Sequence, residues 1–287
     1  MKTSTAYLAG AASLAALAGG LAAAPASAQS FSAVTYFDGQ FLSVDGASGT
    51  AAPAGALGAG VRPDGLASYN GSLYTFDTKT DSLLRLNAAT GGTLASFSVG
   101  IPGVVAPGGL AISSSGLAYL ADPLTSSPQS APASALYSFS LTGGPAVKVG
   151  TTSDLLSGLA FNANDTLYGL GKGDGQVYTI NTASAKESLV GNLDPANSSI
   201  GNDPIAALTF SGGTLYAAAD SSLYTVNTAT GAGTLVGPIS DGIGAPFSSV
   251  SGLAPAAPVP EASSVISFGA LLVLGGVFLI RRRARRS

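Results

Sequence analysis

The chain has 287 residues, only 9% of them charged, and it contains no cysteine and no histidine. This composition excludes a disulfide framework and a thiolate metal site, and it removes the commonest general base and metal ligand. Between residues 29 and 260, six basic residues stand against fourteen acidic ones, a net charge of minus 8, so no nucleic-acid partner is expected, because phosphate binding needs clustered Lys and Arg.

The N-terminus has the features of an export signal. Lys2 precedes an alanine- and leucine-rich run over residues 6–24, and Ala26 and Ala28 supply the small-x-small pattern that a signal peptidase accepts. We therefore predict that residues 1–28 form a signal peptide that signal peptidase removes. An uncleaved membrane anchor is the alternative, which the glycines and the proline at the end of the run disfavour.

The segment over residues 29–257 is built of repeats. A Gly-Leu-Ala triplet, replaced by Ala-Leu-Thr in one unit, recurs at spacings of 44, 49, 49 and 45 residues. The triplets begin at Gly65, Gly109, Gly158, Ala207 and Gly252. The first four are each followed by a tyrosine-bearing strand, a second alternating strand and a short strand that ends in glycine, with Asn, Thr and Gly in the turns. Four strands in a repeat of this length are typical of a propeller blade.

The first unit lacks its triplet, and the last triplet lacks its unit. Residues 33–38 and 41–45 align with residues 215–220 and 223–227, but no Gly-Leu-Ala precedes them. The triplet at Gly252 would complete this unit and remove exposed sheet edges. We therefore predict an all-β fold, a β-propeller of five four-stranded blades closed by strand exchange between the termini. An open β-solenoid or a sandwich is the alternative fold.

The strand pattern over residues 31–254 resembles that of β-propeller repeat proteins. No Trp-Asp dipeptide or kelch pattern accompanies it, so the resemblance implies a fold and no functional residue. Tyrosines at equivalent strand positions are predicted to pack between blades instead of forming platforms for sugars. These are Tyr74, Tyr119, Tyr168, Tyr178, Tyr216 and Tyr224.

An aspartate recurs where the second strand of each unit turns into the third. The five residues are Asp38, Asp77, Asp122, Asp174 and Asp220. In a propeller this turn shares a face with the loops that lead into the innermost strands, where four more aspartates fall: Asp64, Asp154, Asp203 and Asp241. Carboxylate oxygens are hard ligands that suit Ca²⁺, and a bound calcium would also bridge to an anionic polysaccharide. The alternative is that aspartate recurs because it is a good turn residue. No other cofactor is expected.

Catalysis is not expected from this domain. Glycosidases need paired carboxylates, one of them usually a glutamic acid, and the only glutamate between residues 29 and 257 is Glu187, predicted in a turn between outer strands and away from a central site. We therefore predict a non-catalytic protein. The alternative is an aspartate-based hydrolase acting on polysaccharides, with calcium as one form of assistance.

The C-terminus, residues 258–287, has three parts in a fixed order. Val259, Pro260 and Glu261 come first, an uncharged apolar stretch follows over residues 265–280, and an arginine-rich end closes the chain with Arg281, Arg282 and Arg283 among its members. The apolar stretch is predicted to be a transmembrane helix of minimal length. The positive-inside rule then places residues 281–287 in the cytoplasm and the repeat domain outside the inner membrane.

This tripartite segment resembles the PEP-CTERM sorting signal, although Ala262 stands where that signal has its second proline. The resemblance implies recognition of Pro260 and Glu261 by an exosortase-type membrane enzyme and removal of the helix. It also implies a final place at the cell surface or in the extracellular matrix, commonly beside exopolysaccharide, after transit through the inner membrane with the repeat domain in the periplasm. A plain tail anchor is the alternative.

Overall fold

The computed structural model describes residues 29–101, 108–123, 133–194, 205–243 and 245–256. These residues form an all-β structure. Its strands are β1 (Ser30–Thr35), β2 (Gln40–Asp45), β3 (Ala51–Ala56), β4 (Pro63–Tyr69), β5 (Ser72–Asp77), β6 (Ser82–Leu86), β7 (Thr93–Ser98), β8 (Leu110–Ile112), β9 (Leu117–Pro123), β10 (Ser134–Ser140), β11 (Val147–Thr151), β12 (Leu156–Phe161), β13 (Leu167–Gly171), β14 (Gln176–Ile180), β15 (Glu187–Asn192), β16 (Ala207–Ser211), β17 (Thr214–Ala219), β18 (Ser222–Val226), β19 (Gly233–Pro238) and β20 (Val250–Pro255).

The strands form five antiparallel sheets of four strands each, which are the blades of a propeller. Blade 1 has the order β20-β1-β2-β3, and blades 2 to 5 follow as β4 to β7, β8 to β11, β12 to β15 and β16 to β19. The last strand pairs with the first, with Leu253 opposite Ala33. The predicted five-bladed propeller with terminal strand exchange is therefore confirmed.

The innermost strands explain the repeated triplet. Around the ring, β20, β4, β8, β12 and β16 each contact the next, and the last contacts the first. A Cβ atom on Gly65 would lie 2.2 Å from the backbone nitrogen of Leu110, and one on Gly252 would lie 2.5 Å from that of Leu66. Glycine is needed here because the backbones of neighbouring blades approach more closely than any side chain allows.

The core lies between the blades. Between blades 5 and 1, Phe31, Leu42, Leu253 and Tyr216 pack in one cluster, with the Phe31 and Tyr216 rings 4.7 Å apart. The six tyrosines predicted to pack between blades are all buried. Their position follows from the period of two along each strand, which sends alternate side chains toward the neighbouring blade.

The segments predicted to direct export and sorting fall outside the described residues. This applies to the predicted signal peptide at 1–28 with Ala26 and Ala28, and to the predicted sorting segment from 258 with Val259, Pro260, Glu261, Arg281, Arg282 and Arg283. The predicted helix at 265–280 belongs to the same undescribed part. In the stretches that the structure does describe, no helix has the length and hydrophobicity needed to span a membrane.

Candidate functional site

The turns of the blades are sorted onto two faces. Because each blade is an antiparallel meander, the turns between its second and third strands lie on the same face as the connections between blades. We call this the aspartate face, since it carries Asp38, Asp77, Asp122, Asp174 and Asp220. The turns between first and second strands lie on the opposite face. We call that the funnel face, after a cavity whose lining includes Tyr69, Ile112, Phe161 and Phe210.

The five predicted aspartates therefore share one face, one from each blade. Their resolved bonds are those of turn residues, except that Asp77 also accepts a bond from the connection into β4. Asp77 is buried and accepts hydrogen bonds from the backbone N–H of Arg62 at 2.9 Å, the N–H of Lys79 at 3.2 Å and the hydroxyl of Thr80 at 2.7 Å. Asp174 accepts one from the N–H of Gln176 at 3.0 Å. Asp38 accepts bonds from the side chains of Thr35 and Gln40. No group of three or more Asp, Glu, His or Cys side chains in the described residues is placed to hold a metal ion. A calcium role for these aspartates stays a prediction.

The sequence predicts Asp64 in the loop that leads into an innermost strand, and this prediction is wrong. Asp64 lies inside β4 and is fully buried, because β4 begins two residues before the triplet. Its carboxylate accepts hydrogen bonds from the backbone N–H of Gly108 at 3.0 Å and of Gly109 at 2.9 Å, both at the start of blade 3. Burial raises the pKa of Asp64 to about 7; the two backbone bonds and the charge of Lys172 oppose this rise, and Asp122 adds to it.

The other aspartates near the innermost strands have separate settings. Asp154 accepts the hydroxyl of Tyr178 at 2.9 Å, and burial together with this bond raises the pKa of Tyr178. Asp241 accepts the N–H groups of Ile243 and Ala245 within its own loop. Asp203 lies outside the described residues. Of the three that the structure describes, only Asp64 is enclosed in the propeller core.

Glu187 is placed away from the centre of the propeller. It is the first residue of β15, the outermost strand of blade 4. Its carboxylate accepts the backbone N–H of Ser153 at 2.6 Å and of Asp154 at 3.1 Å. Partial burial raises the pKa of Glu187, although these two bonds lower it. The residue thus joins the outer parts of blades 3 and 4 and is absent from the lining of the funnel.

A cavity of about 630 Å³ opens on the funnel face. Its wall comes from four blades, through the turns that follow their innermost strands. Beneath it, a throat of about 80 Å³ shares Ser68, Ile112, Phe161 and Phe210 with the wall above. We call the cavity and its throat the funnel.

The funnel is blind at its lower end. Below the throat, the glycine or alanine of each triplet and the leucine that follows it line the axis and leave no space accessible to water. The leucines are Leu66, Leu110, Leu159, Leu208 and Leu253, and each also packs in a different core cluster. The propeller axis is therefore a pocket with a hydrophobic floor, and it is not a pore through the described part of the protein.

The funnel wall combines aromatic rings with polar turn residues. Phe161 and Phe210 are half-buried, and each is held edge-on by a buried tyrosine: Tyr119 at 5.4 Å from Phe161 and Tyr168 at 5.3 Å from Phe210. The polar side chains of the wall come from turns, and they include Asn70, Asn162, Asn164 and Asp165. Aromatic faces pack against the C–H faces of sugars, while amides and carboxylates bind hydroxyl groups, so this wall has the chemistry of a saccharide site.

Asp165 is a fixed charge at the rim of the funnel. Its carboxylate accepts the backbone N–H of Ser114 at 2.8 Å and also the Ser114 hydroxyl, which joins blade 4 to blade 3. These bonds hold the pKa of Asp165 below its usual value. The residue sits in a turn with φ of 57°, a conformation that Asp tolerates better than most residues. The rim therefore presents an ionised acceptor in a defined place.

The repeated aspartates lie on the other face, so they give no indication of the funnel. A signal for it was present in the residue that follows each triplet. This residue is large and apolar in two consecutive units, Phe161 and Phe210, and it is Ile112 in the unit before them. An apolar residue at the end of an innermost strand, followed by Asn or Ser in the turn, marks the wall of a central cavity.

No protein-family model matches the chain, and no curated protein sequence is significantly similar to it. Among solved structures, the chain is similar to one in a nidogen/laminin complex, with a TM-score of 0.50 and 15% identity over 78% of this chain and 83% of that one. A Bacteroides thetaiotaomicron protein of unknown function has a TM-score of 0.44 and 14% identity, over 72% of this chain and 50% of that one. A catalytically inactive virginiamycin B lyase from Staphylococcus aureus with quinupristin has a TM-score of 0.42 and 11% identity, over 72% and 69%. Likeness at this level concerns the fold alone, and the propeller with its blind funnel fits a binding or scaffold role.

Proposed function

We propose that this chain is an exported, non-catalytic protein of the cell surface or extracellular matrix whose funnel binds a saccharide. The observation that carries the proposal is the funnel wall, where the half-buried rings of Phe161 and Phe210 stand beside the amides of Asn162 and Asn164. A rigid aromatic face next to fixed polar groups is the arrangement by which proteins hold sugar rings. The blind floor limits the ligand to a chain end or a short branch.

The non-catalytic character is supported by the acids of the funnel. Among the described residues of its wall, Asp165 is the only carboxylic acid. Hydrolysis of a glycosidic bond needs two carboxylates, one of which stays protonated to serve as the acid. The pKa of Asp165 is lowered by its bonds to Ser114, which favours the charged form and disfavours an acid role.

Export and sorting are supported by the two ends of the sequence. The pattern at Ala26 and Ala28 favours cleavage by signal peptidase, and the order Val259-Pro260-Glu261, apolar stretch and arginine cluster favours recognition by an exosortase-type enzyme. The intact mass of the protein in each fraction of its native host tests this. A species from Gln29 to near Glu261 outside the cell supports sorting, and a full-length C-terminus kept in the inner membrane would make the protein a tail-anchored one.

The saccharide role is tested by screening the purified full chain on a glycan array and comparing it with Phe161→Ala and Phe210→Ala. We expect each variant to lose binding by about tenfold, since roughly 50–60 Å² of ring face covered by a sugar is worth about 1.4 kcal/mol at about 25 cal/mol per Å². Leu94→Ala is the matched control, because Leu94 is an exposed apolar side chain on an outer strand. Equal binding by all variants would place the ligand elsewhere.

A second candidate function is aspartate-based hydrolysis on the opposite face. The observation that favours it is the fully buried carboxyl of Asp64. Burial raises its pKa, the charge of Lys172 lowers it and the charge of buried Asp122 raises it. A buried carboxyl with a raised pKa, near the charge of a second carboxylate, is an arrangement that can supply a general acid. Activity of the full chain against a panel of polysaccharides, abolished by Asp64→Asn and by Asp122→Asn, would support this function over simple binding.

A further inference from the structure

A second cavity, of about 510 Å³, opens on the aspartate face between blades 1 and 2. We call it the cationic pocket and define it by Tyr36, Phe37, Val61, Arg62, Thr78 and Lys79. Its wall comes from the turn between β1 and β2, the connection into β4 and the turn between β5 and β6. It shares no residue with the funnel.

The charge of this pocket is opposite to that of the domain around it. Arg62 and Lys79 are two of the six basic residues between positions 29 and 260, where the net charge is minus 8. Both side chains are exposed, and the described lining of the pocket contains no acidic residue. Exposed Asp38 and buried Asp77 adjoin the pocket, and the two cations are the only charged side chains in its described lining.

The two cations are brought together by the backbone. Buried Asp77 accepts the N–H of both Arg62 and Lys79, at 2.9 and 3.2 Å. The N–H of Thr78 donates to the carbonyl of Arg62 at 3.0 Å, and the Thr78 hydroxyl donates to the same oxygen at 3.2 Å. These bonds hold the backbones of two residues seventeen positions apart on one ridge, so both cations are anchored at the same pocket.

An aromatic ring stands beside the cations. Phe37 is 69% exposed, which is unusual for so large an apolar side chain. Its ring meets that of Tyr36 edge-on, with centroids 5.2 Å apart, and Tyr36 is itself buried with its hydroxyl 3.5 Å from that of Thr78. The buried tyrosine thus supports an open phenylalanine face at the mouth of the pocket.

We propose that the cationic pocket binds a carboxylated sugar residue of an acidic polysaccharide. Arg62 and Lys79 would hold the carboxylate, because guanidinium and ammonium groups make charge-assisted hydrogen bonds to it. Phe37 would pack on the apolar face of the same or the next sugar ring. Two cations in a domain of net charge minus 8 suit a polymer with a single carboxylate on each charged sugar. They disfavour a phosphate polymer, which carries more charge along its length and needs more neutralising contacts.

The site is independent of the funnel, so each can fail without the other. Electrophoresis of the purified full chain through gels containing polygalacturonate, dextran or polyphosphate measures the binding. We expect retardation by polygalacturonate alone, retained in EDTA and weakened as salt rises from roughly 0.05 to 0.5 M. Retardation that EDTA abolishes would overturn the proposal in favour of calcium bridging. Stronger retardation by polyphosphate would overturn it in favour of a general anion site.

Substitutions distinguish binding in this pocket from a general effect of the protein's net charge. Arg62→Gln/Lys79→Gln is expected to weaken binding of polygalacturonate about tenfold or more, and Phe37→Ala about threefold to tenfold. The control is Arg85→Gln/Lys148→Gln, which removes two charges from exposed positions outside the pocket. We expect the control to bind as the unmodified chain does. Equal weakening in both double variants would show that net charge, and no defined pocket, carries the binding.

Discussion

The backbone N–H of Gly109 donates a hydrogen bond of 2.9 Å to the carboxylate of Asp64, which lies in the innermost strand of the neighbouring blade. Gly108 donates to the same carboxylate. A fully buried acid therefore joins blade 2 to blade 3 near the axis of the propeller. The contact between these two blades therefore includes a side chain that can gain or lose a proton.

The stability of the protein is expected to depend on the titration of Asp64. Its pKa is 3.8 as a free side chain and is raised to about 7 by burial in the folded protein. Between these values the folded state binds more protons than the unfolded state, so this group makes the free energy of unfolding fall as pH rises from about 4 to about 7. The expected fall is at most about 4 kcal/mol, from 1.36 kcal/mol for each pKa unit.

Asp64→Asn isolates this contribution. Oδ1 of Asp64 receives the N–H groups of both Gly108 and Gly109, so an asparagine carbonyl can keep both bonds without a charge. We expect the variant to be more stable than the unmodified chain at pH 8 and to show less change between pH 4 and 8. Urea denaturation across this pH range measures both effects. Identical pH profiles for the two proteins would contradict the raised pKa.

Replacement of Gly109 by alanine is expected to disrupt ring closure. The residue has φ of 93°, and a Cβ atom would lie 2.5 Å from the backbone nitrogen of Leu159. Because the obstacle is backbone on the next blade, we expect a loss of about 3 kcal/mol or more. Gly71→Ala is the control, since Gly71 also has positive φ, 75°, but nothing lies near its Cβ position. That control should lose only about 1–2 kcal/mol, and similar melting temperatures for the two variants would refute the close-approach argument.

The terminal strand exchange predicts a sharp limit for truncation. A chain that ends after Ser249 lacks β20, which pairs with β1 and packs Leu253 into the core. We expect this chain to aggregate or to lose cooperative unfolding, because removal of β20 exposes the edge of β1 and the core residues that Leu253 packs against. A chain that ends after Ala256 keeps the exchange and serves as the comparison. Cooperative melting of both chains would show that β20 is dispensable.

The recurring aspartates are expected to differ in their contribution to stability. Asp77→Ala removes three hydrogen bonds from a buried carboxylate and should cost about 2 kcal/mol or more. Asp174→Ala removes one resolved turn bond at a half-buried position and should cost under about 1 kcal/mol. Thermal melts with EDTA and with added Ca²⁺ measure both variants beside the unmodified chain. If these residues act only in their turns, calcium will leave all three melts unchanged, and a rise confined to the unmodified chain would support a calcium site.

Much of the fold could be predicted because the relevant signals are local and repeated. Triplets such as Gly158-Leu159-Ala160, followed by the Tyr168 strand, indicate four strands per unit. The unpaired triplet at Gly252 indicates the strand exchange between the termini. The shared face of the five aspartates followed from the same topology. The position of Asp64 did not follow, because β4 begins earlier than the repeat pattern indicates and carries that side chain into the core.

The sequence by itself determined the class of fold, the number of blades and the way the ring closes, since strand period and turn chemistry are properties of adjacent residues. Only the tertiary structure decided which distant residues meet. The contact of Asp64 with Gly108 spans 44 positions, and the ridge of Arg62 and Lys79 depends on bonds between two separate turns. The floor of the funnel is likewise a product of ring size, because five innermost strands approach closely enough to leave no water-accessible space at the axis. Periodicity specifies the blades, whereas the spacing and twist between blades set these sites.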